Sequence, residues 1–229
     1  MTPPSIDVAI ERGSKRAFAS ALAWPGWARS GRDEESALDS LLSYGPRYAV
    51  ALRGARRGFR PPKDAKALVV VERLKGDATT DFGAPSIAPA VDADPVDARE
   101  LRRLRTILEA TWGAFDRAAD AARGKKLRTG PRGGGRSLNK IAAHVLSADG
   151  GYVRRIAGRA PAVDERDPWS AADDIRDVIG DALGRAAREG LPERGPRGGA
   201  MWTVRYFIRR SAWHVLDHTW EIEDRTPGR

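Results

Sequence analysis

Apolar positions fall into two regimes along the chain, short runs broken by turn residues up to about residue 75 and long helical stripes after about residue 96. In "SIDVAIERGSKRAFASALAWPGWARSG" two apolar runs flank a Gly-Ser-Lys turn, and the loose alternation from Arg16 to Leu22 predicts a pair of strands. Trp24-Pro25-Gly26-Trp27 then supplies a turn signal. Ala37, Leu38, Leu41 and Leu42 follow at helical spacing behind a run of acids, which predicts a short amphipathic helix capped by Asp33. The β-branched run from Leu68 to Val71 predicts another strand. Residues 1–75 therefore read as a small α+β domain. Residues 76–95, rich in Pro, Ala, Gly and Asp without a period, read as a linker or long loop.

Four longer patterns come next. About 96–123 carries Leu101, Leu104, Leu108, Trp112 and Phe115 as one stripe, and about 137–157 carries Leu138, Ile141, Val145 and Tyr152. The third begins at Pro168, which suits the first turn of a helix, and runs to about 189; the fourth and most apolar covers about 200–223. Four amphipathic helices joined by loops predict an all-α four-helix bundle over 96–229, preceded by the small α+β domain.

Composition narrows the chemistry. The chain has 229 residues, enough for one large domain or two small ones, and no cysteine, so disulfides, thiolate metal ligands and a cysteine nucleophile are excluded. The N-terminal "MTPPSIDVAIERG" lacks the basic start and apolar run of a secretory signal, and no stretch of about 18 apolar residues is present to cross a bilayer; a cytoplasmic protein without a membrane partner is expected. A net charge of +9 raises nucleic-acid binding, yet the arginines are interleaved with acids, as in "ARELRRLRTILEA", which reads as a solvated helix surface. The densest basic run, "RGARRGFRPPK" at 53–63, has one Phe and no aromatic interleaving suited to stacking bases.

The chain has three histidines, and two of them, His214 and His218, stand four residues apart in the fourth helical pattern, where they lie one above the other on a single face. The third, His144, sits among apolar residues of the second pattern, so packing of these two helices brings all three together. Three neutral imidazoles suit a divalent metal such as Zn, Ni or Fe. The plain alternative is a set of core histidines hydrogen-bonded to neighbours. Glu221 and Arg210 share the face of His218 and His214 and are candidates to orient the ligands; an ordinary surface or interhelical ion pair is the other reading of both, and no catalytic residue is assigned.

These residues, above all "WHVLDHTWEIEDR", resemble the DinB-like superfamily over about residues 96–229. That resemblance implies a four-helix bundle holding a divalent metal through one His of the second helix and a His-x3-His pair of the fourth, here His144, His214 and His218. Because characterised members include thiol S-transferases using bacillithiol or mycothiol, and a mycothiol-dependent maleylpyruvate isomerase, it also implies metal-dependent S-transfer between a low-molecular-weight thiol and a small electrophile. A metal-dependent hydrolase and a non-catalytic, homodimer-forming metal-binding scaffold stay open. At the N-terminus, "AFASALAWPGWARSGRDEESALDSLL" resembles HicB-like domains, which implies a dimerisation or lid element.

Two glycine-rich connections complete the picture. Gly130 to Ser137 spells G-x4-G-Arg-Ser, near a phosphate-binding loop, but Arg136 stands in place of the Lys and no strand precedes it, so an inter-helix loop ending at an N-cap Ser137 is expected. Arg132 and Arg136 there can meet an acidic substrate at the helix N-terminus. The same Gly-Pro-Arg-Gly-Gly wording returns at 195–199, and the two loops are expected at one end of the bundle.

Overall fold

The computed structural model describes residues 5–55, 58–130, 135–195 and 198–228. Among these, six α-helices and one four-stranded sheet are present. Strands β1 (Ile6–Arg12) and β2 (Ala17–Ala21) form the expected hairpin, with Val8 opposite Ala21 and Arg12 opposite Ala17. A third strand, β3 (Ala28–Gly31), not foreseen in the sequence, pairs with β2. The run at Leu68 extends to β4 (Leu68–Lys75), which lies parallel to β1 and completes the order β3-β2-β1-β4.

Helix α1 (Glu34–Ala51) covers one face of the sheet, packing Ala37, Leu41 and Tyr48 on Val8, Ile10 and Ala19. Asp33 caps it as expected, accepting from Ser36 N at 2.8 Å. It continues through Gly45 and Pro46, although an interior proline costs a backbone hydrogen bond. An aromatic cluster of Trp27, Tyr48 and Phe59 holds the second half, with Tyr48 donating to Pro25 O at 2.8 Å and Trp27 Nε1 to Leu41 O at 2.9 Å. Phe59, the aromatic of the basic run, is thereby engaged in packing; Arg56 and Arg57 of that run lie outside the described residues.

Helices α3 (Ala98–Ala122), α4 (Leu138–Tyr152), α5 (Ala172–Glu189) and α6 (Val204–Arg225) share a second core through Leu108, Phe115, Ile141, Leu146, Ile175, Ile179, Phe207 and Val215. Asp97, Ser137 and Thr203 cap α3, α4 and α6. Pro168 opens a 3-10 turn that leads into α5. None of the described helices is long and apolar enough to cross a membrane.

The two glycine-rich loops lie at opposite ends of the helices, contrary to expectation. Arg225 at the end of α6 donates to Arg128 O and Arg136 O, each at 2.8 Å, so the first loop sits at the α6 C-terminus. The residues after the second loop meet the other end of α4, where Trp202 N donates to Arg155 O at 2.8 Å. What separates them is the connection 157–171, which climbs back along α4: Asn139 Nδ2 donates to Arg166 O at 3.1 Å. As a result α5 starts near the α3 C-terminus, fastened by Arg176 to Asp116 at 2.6 Å, and runs in the same direction as α4. Arg132, Pro196 and Arg197 of these loops lie outside the described residues.

The stretch 76–95 is ordered rather than a featureless linker. It contains the short helix α2 (Ala78–Phe82) and a 3-10 turn, Ala90–Ala93. Buried Glu11 of β1 accepts from Ser86 N at 3.0 Å, Ile87 N at 3.1 Å and the Thr80 hydroxyl, and Tyr206 donates to Ser86 O at 2.7 Å. Arg209 of α6 grips the fully buried Asp92 at 2.7 and 2.8 Å and also donates to Ala21 O and Leu22 O. Helix α6 is thus held from two sides. Its Ala212, Val215 and Ile222 face the helical core, whereas Trp213, Leu216 and Trp220 face the sheet layer. Gly26 lies close against α6: its φ is +91°, and a Cβ there would stand 3.0 Å from Leu216 Cδ1 and 3.2 Å from the Ala212 carbonyl carbon.

Candidate metal centre

The face of α6 left over by these two contacts carries Arg210, His214, His218 and Glu221, and it looks at α4. Buried Asp149 of α4, accepting from the Ser211 hydroxyl at 2.6 Å, clamps the two helices one turn below the histidines. His144 then stands opposite His214 with their Nε2 atoms 3.1 Å apart, and the three ring centroids are 4.7 to 5.0 Å from one another. One ring nitrogen from each histidine lies within 4.8 Å of the others, so the three can hold an ion. Among the described residues this is the one such cluster.

The electrostatics favour neutral ligands. Burial, followed by the charges of His218 and Arg136, lowers His144 to about 4. Burial, followed by the electrostatic influence of His218 and Arg210, holds His214 well below the ordinary imidazole value. Two neutral rings facing each other Nε2 to Nε2 either share a hydrogen bond, if one carries its proton there, or leave both lone pairs unmatched, and a cation would take both. His214 Nδ1 is buried without a partner, so the protein alone does not satisfy this ring. At His218, Nδ1 donates to Glu221 Oε2 at 2.7 Å, which leaves Nε2 as the ring nitrogen available to an ion. Glu221 stays a carboxylate: burial opposes its charge, but the His218 hydrogen bond and the charges of His218 and Arg136 hold it at about 2, with Arg225 bonded to its other oxygen at 2.6 Å. The donor set and the facing Nε2 atoms of His144 and His214 fit a borderline divalent ion. His144 is exposed while His214 and His218 are buried, so the cluster opens to solvent on the α4 side.

Each sequence-identified residue has a place here. Glu221 orients His218, as a carboxylate beside a ligand does, and Asp217 points away to Arg29 at 2.8 Å. Arg136 reaches the rim 3.7 Å from Glu221. Arg210 lies one turn before His214, over the rings of Trp213 and Tyr152 at 4.7 and 5.4 Å. Sequence reasoning missed the Asp149–Ser211 clamp, and it read Tyr152, whose ring is 5.9 Å from that of His214, only as core. A lone Asp in an apolar helix stripe is a weak signal, because its partner belongs to another helix.

Asp149 makes a stability prediction. Burial raises its carboxyl from 3.8 to about 6, against the Ser211 hydrogen bond. The folded state therefore holds a proton that the unfolded state has already lost, so this contribution is complete below about pH 4 and is lost as pH rises through 6. The gap corresponds to roughly 3 kcal/mol. His144 and His214 act in the opposite direction, so the quantity to measure is the difference between the metal-free protein and Asp149→Asn in urea unfolding at pH 4 and pH 8. The variant should gain on the parent by up to about 3 kcal/mol between the two pH values; parallel curves would show that Asp149 is not charged and buried at pH 8.

Helices that present three convergent imidazoles, one exposed and two buried, define a helical protein with a candidate metal site. Comparison with known families gives the particular one: the model of the DinB superfamily matches residues 107–222, just over half of the chain. The protein belongs to the DinB superfamily, whose members bind divalent metals. The match spans all three histidines and begins within α3, so the HicB-like resemblance gains nothing from it. No curated protein and no solved structure matches the chain.

Proposed function

We propose that this protein is a metal-dependent enzyme in which His144, His214 and His218 hold one divalent ion, Zn, Ni or Fe, within a four-helix bundle of residues 96–229. In this reading residues 1–75 form a buttressing α+β domain and 76–95 a strap between the two. A bound divalent ion lowers the pKa of a thiol or water that reaches its open position. The favoured reaction is S-transfer from a low-molecular-weight thiol such as mycothiol or bacillithiol. The thiol proton goes to solvent, a sulfur–carbon bond forms, and the leaving group departs from the electrophilic carbon with its electron pair.

The observation that carries this reading is the exposed side of the cluster at His144, which leaves room for an exchangeable ligand. Glu221 keeps the His218 tautomer fit for ligation, and the two α6 ligands are held by packing on both sides of their helix. A scaffold with a structural ion calls instead for a fourth protein ligand closing the site. The test is single-turnover consumption of a thiol by an alkylating electrophile in metal-loaded and chelator-stripped protein. Metal-dependent thioether formation at least tenfold above the stripped protein is expected; equal rates with metal bound in full would sink the enzymatic reading.

A further inference from the structure

Several arginines that pack along this fold hold carboxylates. Arg29, Arg47, Arg176, Arg205, Arg209 and Arg225 each approach one within 2.6 to 2.8 Å. Arg210 does not: among the described residues it pairs with no carboxylate, and its Nη1 is buried with no hydrogen-bond partner at all. A guanidinium nitrogen withdrawn from water without an acceptor is costly, even on a half-buried side chain. The position is nonetheless well built. Trp213 and Tyr152 flank the group at 4.7 and 5.4 Å, and Trp213 is itself locked edge-on against Phe18 of β2 at 5.9 Å. Arg210 stands four residues before His214 on the same helix face, on the order of 6 Å along the axis. At the opposite end of the cluster, Arg136 is already occupied with Glu221 at 3.7 Å.

We propose that Arg210 is the anion-binding residue of the histidine site, and that the molecule entering it is a thiol carrying a carboxylate about one helical turn from its sulfur. This rests on the metal-site reading above and adds the substrate class to it. The carboxylate completes the arginine's hydrogen bonding between the two rings, in the bidentate geometry guanidinium favours, while the sulfur end reaches the imidazoles. A planar fork held by stacked rings selects a carboxylate over an alcohol of the same length.

The probes are 3-mercaptopropionate and 2-mercaptoethanol, titrated into protein loaded with cobalt(II) as a spectroscopic stand-in and followed by sulfur-to-cobalt charge-transfer absorption. The parent should bind the carboxylate thiol at least tenfold more tightly. Arg210→Gln should lose that preference while keeping cobalt and the affinity for 2-mercaptoethanol, and Arg210→Lys, which keeps the charge but not the fork, should fall between. No preference in the parent, or an unchanged one in Arg210→Gln, overturns the proposal. Failure of the parent to bind cobalt would remove the metal reading instead. The anion site is then decided on metal-free protein by the NMR shift of the Trp213 indole with propionate: a shift lost in Arg210→Gln supports it, and no shift overturns it.

Discussion

His218→Ala is expected to abolish stoichiometric metal binding, with affinity falling at least 100-fold, an outcome read by elemental analysis of untagged protein and by competition with a chromogenic chelator. Its ring is buried and bonded through Nδ1 to Glu221, and its neighbour on α6 is His214, the second ligand in the proposed site. Two remaining imidazoles leave a divalent ion short of the three protein ligands of an open site. The control is His144→Ala. Because His144 is exposed, its removal opens little cavity, and its metal loss should come with almost no change in Tm of the metal-free protein. Loss of metal in both variants with an intact His144→Ala fold assigns the ligands. Retention of metal in both would place the ion elsewhere and return the histidines to the core.

Asp92→Ala is expected to cost the largest share of stability of any exchange outside the helical core, about 3 to 5 kcal/mol in urea unfolding. Asp92 is fully buried and accepts two hydrogen bonds from Arg209, whose side chain is 11% exposed. Removing the acid leaves a buried cation with only the carbonyls of Ala21 and Leu22. It also removes one of the ties between 76–95 and α6, leaving those of Tyr206 to Ser86 O and Arg205 to Asp94 O and Pro95 O. Replacing both partners, Asp92→Leu with Arg209→Met, should recover much of the loss, since no charge is then stranded. A loss below about 1 kcal/mol would mean that water reaches the pair and screens it.

Much of this protein was legible in its sequence because the relevant signals are local. The α3 stripe, the Ser137 cap and the β1–β2 hairpin are each written within a few residues, and their boundaries fall close to the expected ones. Pairing of β4 with β1, by contrast, joins residues some sixty positions apart through a helix, and β3 is four residues of mixed burial with no alternation to read. Residues 76–95 looked like a linker because proline, glycine and alanine carry no period; their order comes from Glu11, Tyr206 and Arg209, all distant in sequence.

The sequence by itself determined half of the geometry of the candidate site, since four-residue spacing on any helix stacks His214 over His218, and it excluded thiolate ligands outright. It also showed the long helices α3, α4, α5 and α6 through their apolar period, though not the short α2. Tertiary structure alone decided that His144 faces the pair, that the cluster opens on the α4 side, and that Arg210 is left without a carboxylate where its neighbour Arg209 has one. The reason is physical: periodicity states which face of a helix is buried, but which helix it meets, and in which direction that helix runs, depends on connections such as 157–171 and on pairs formed across the core.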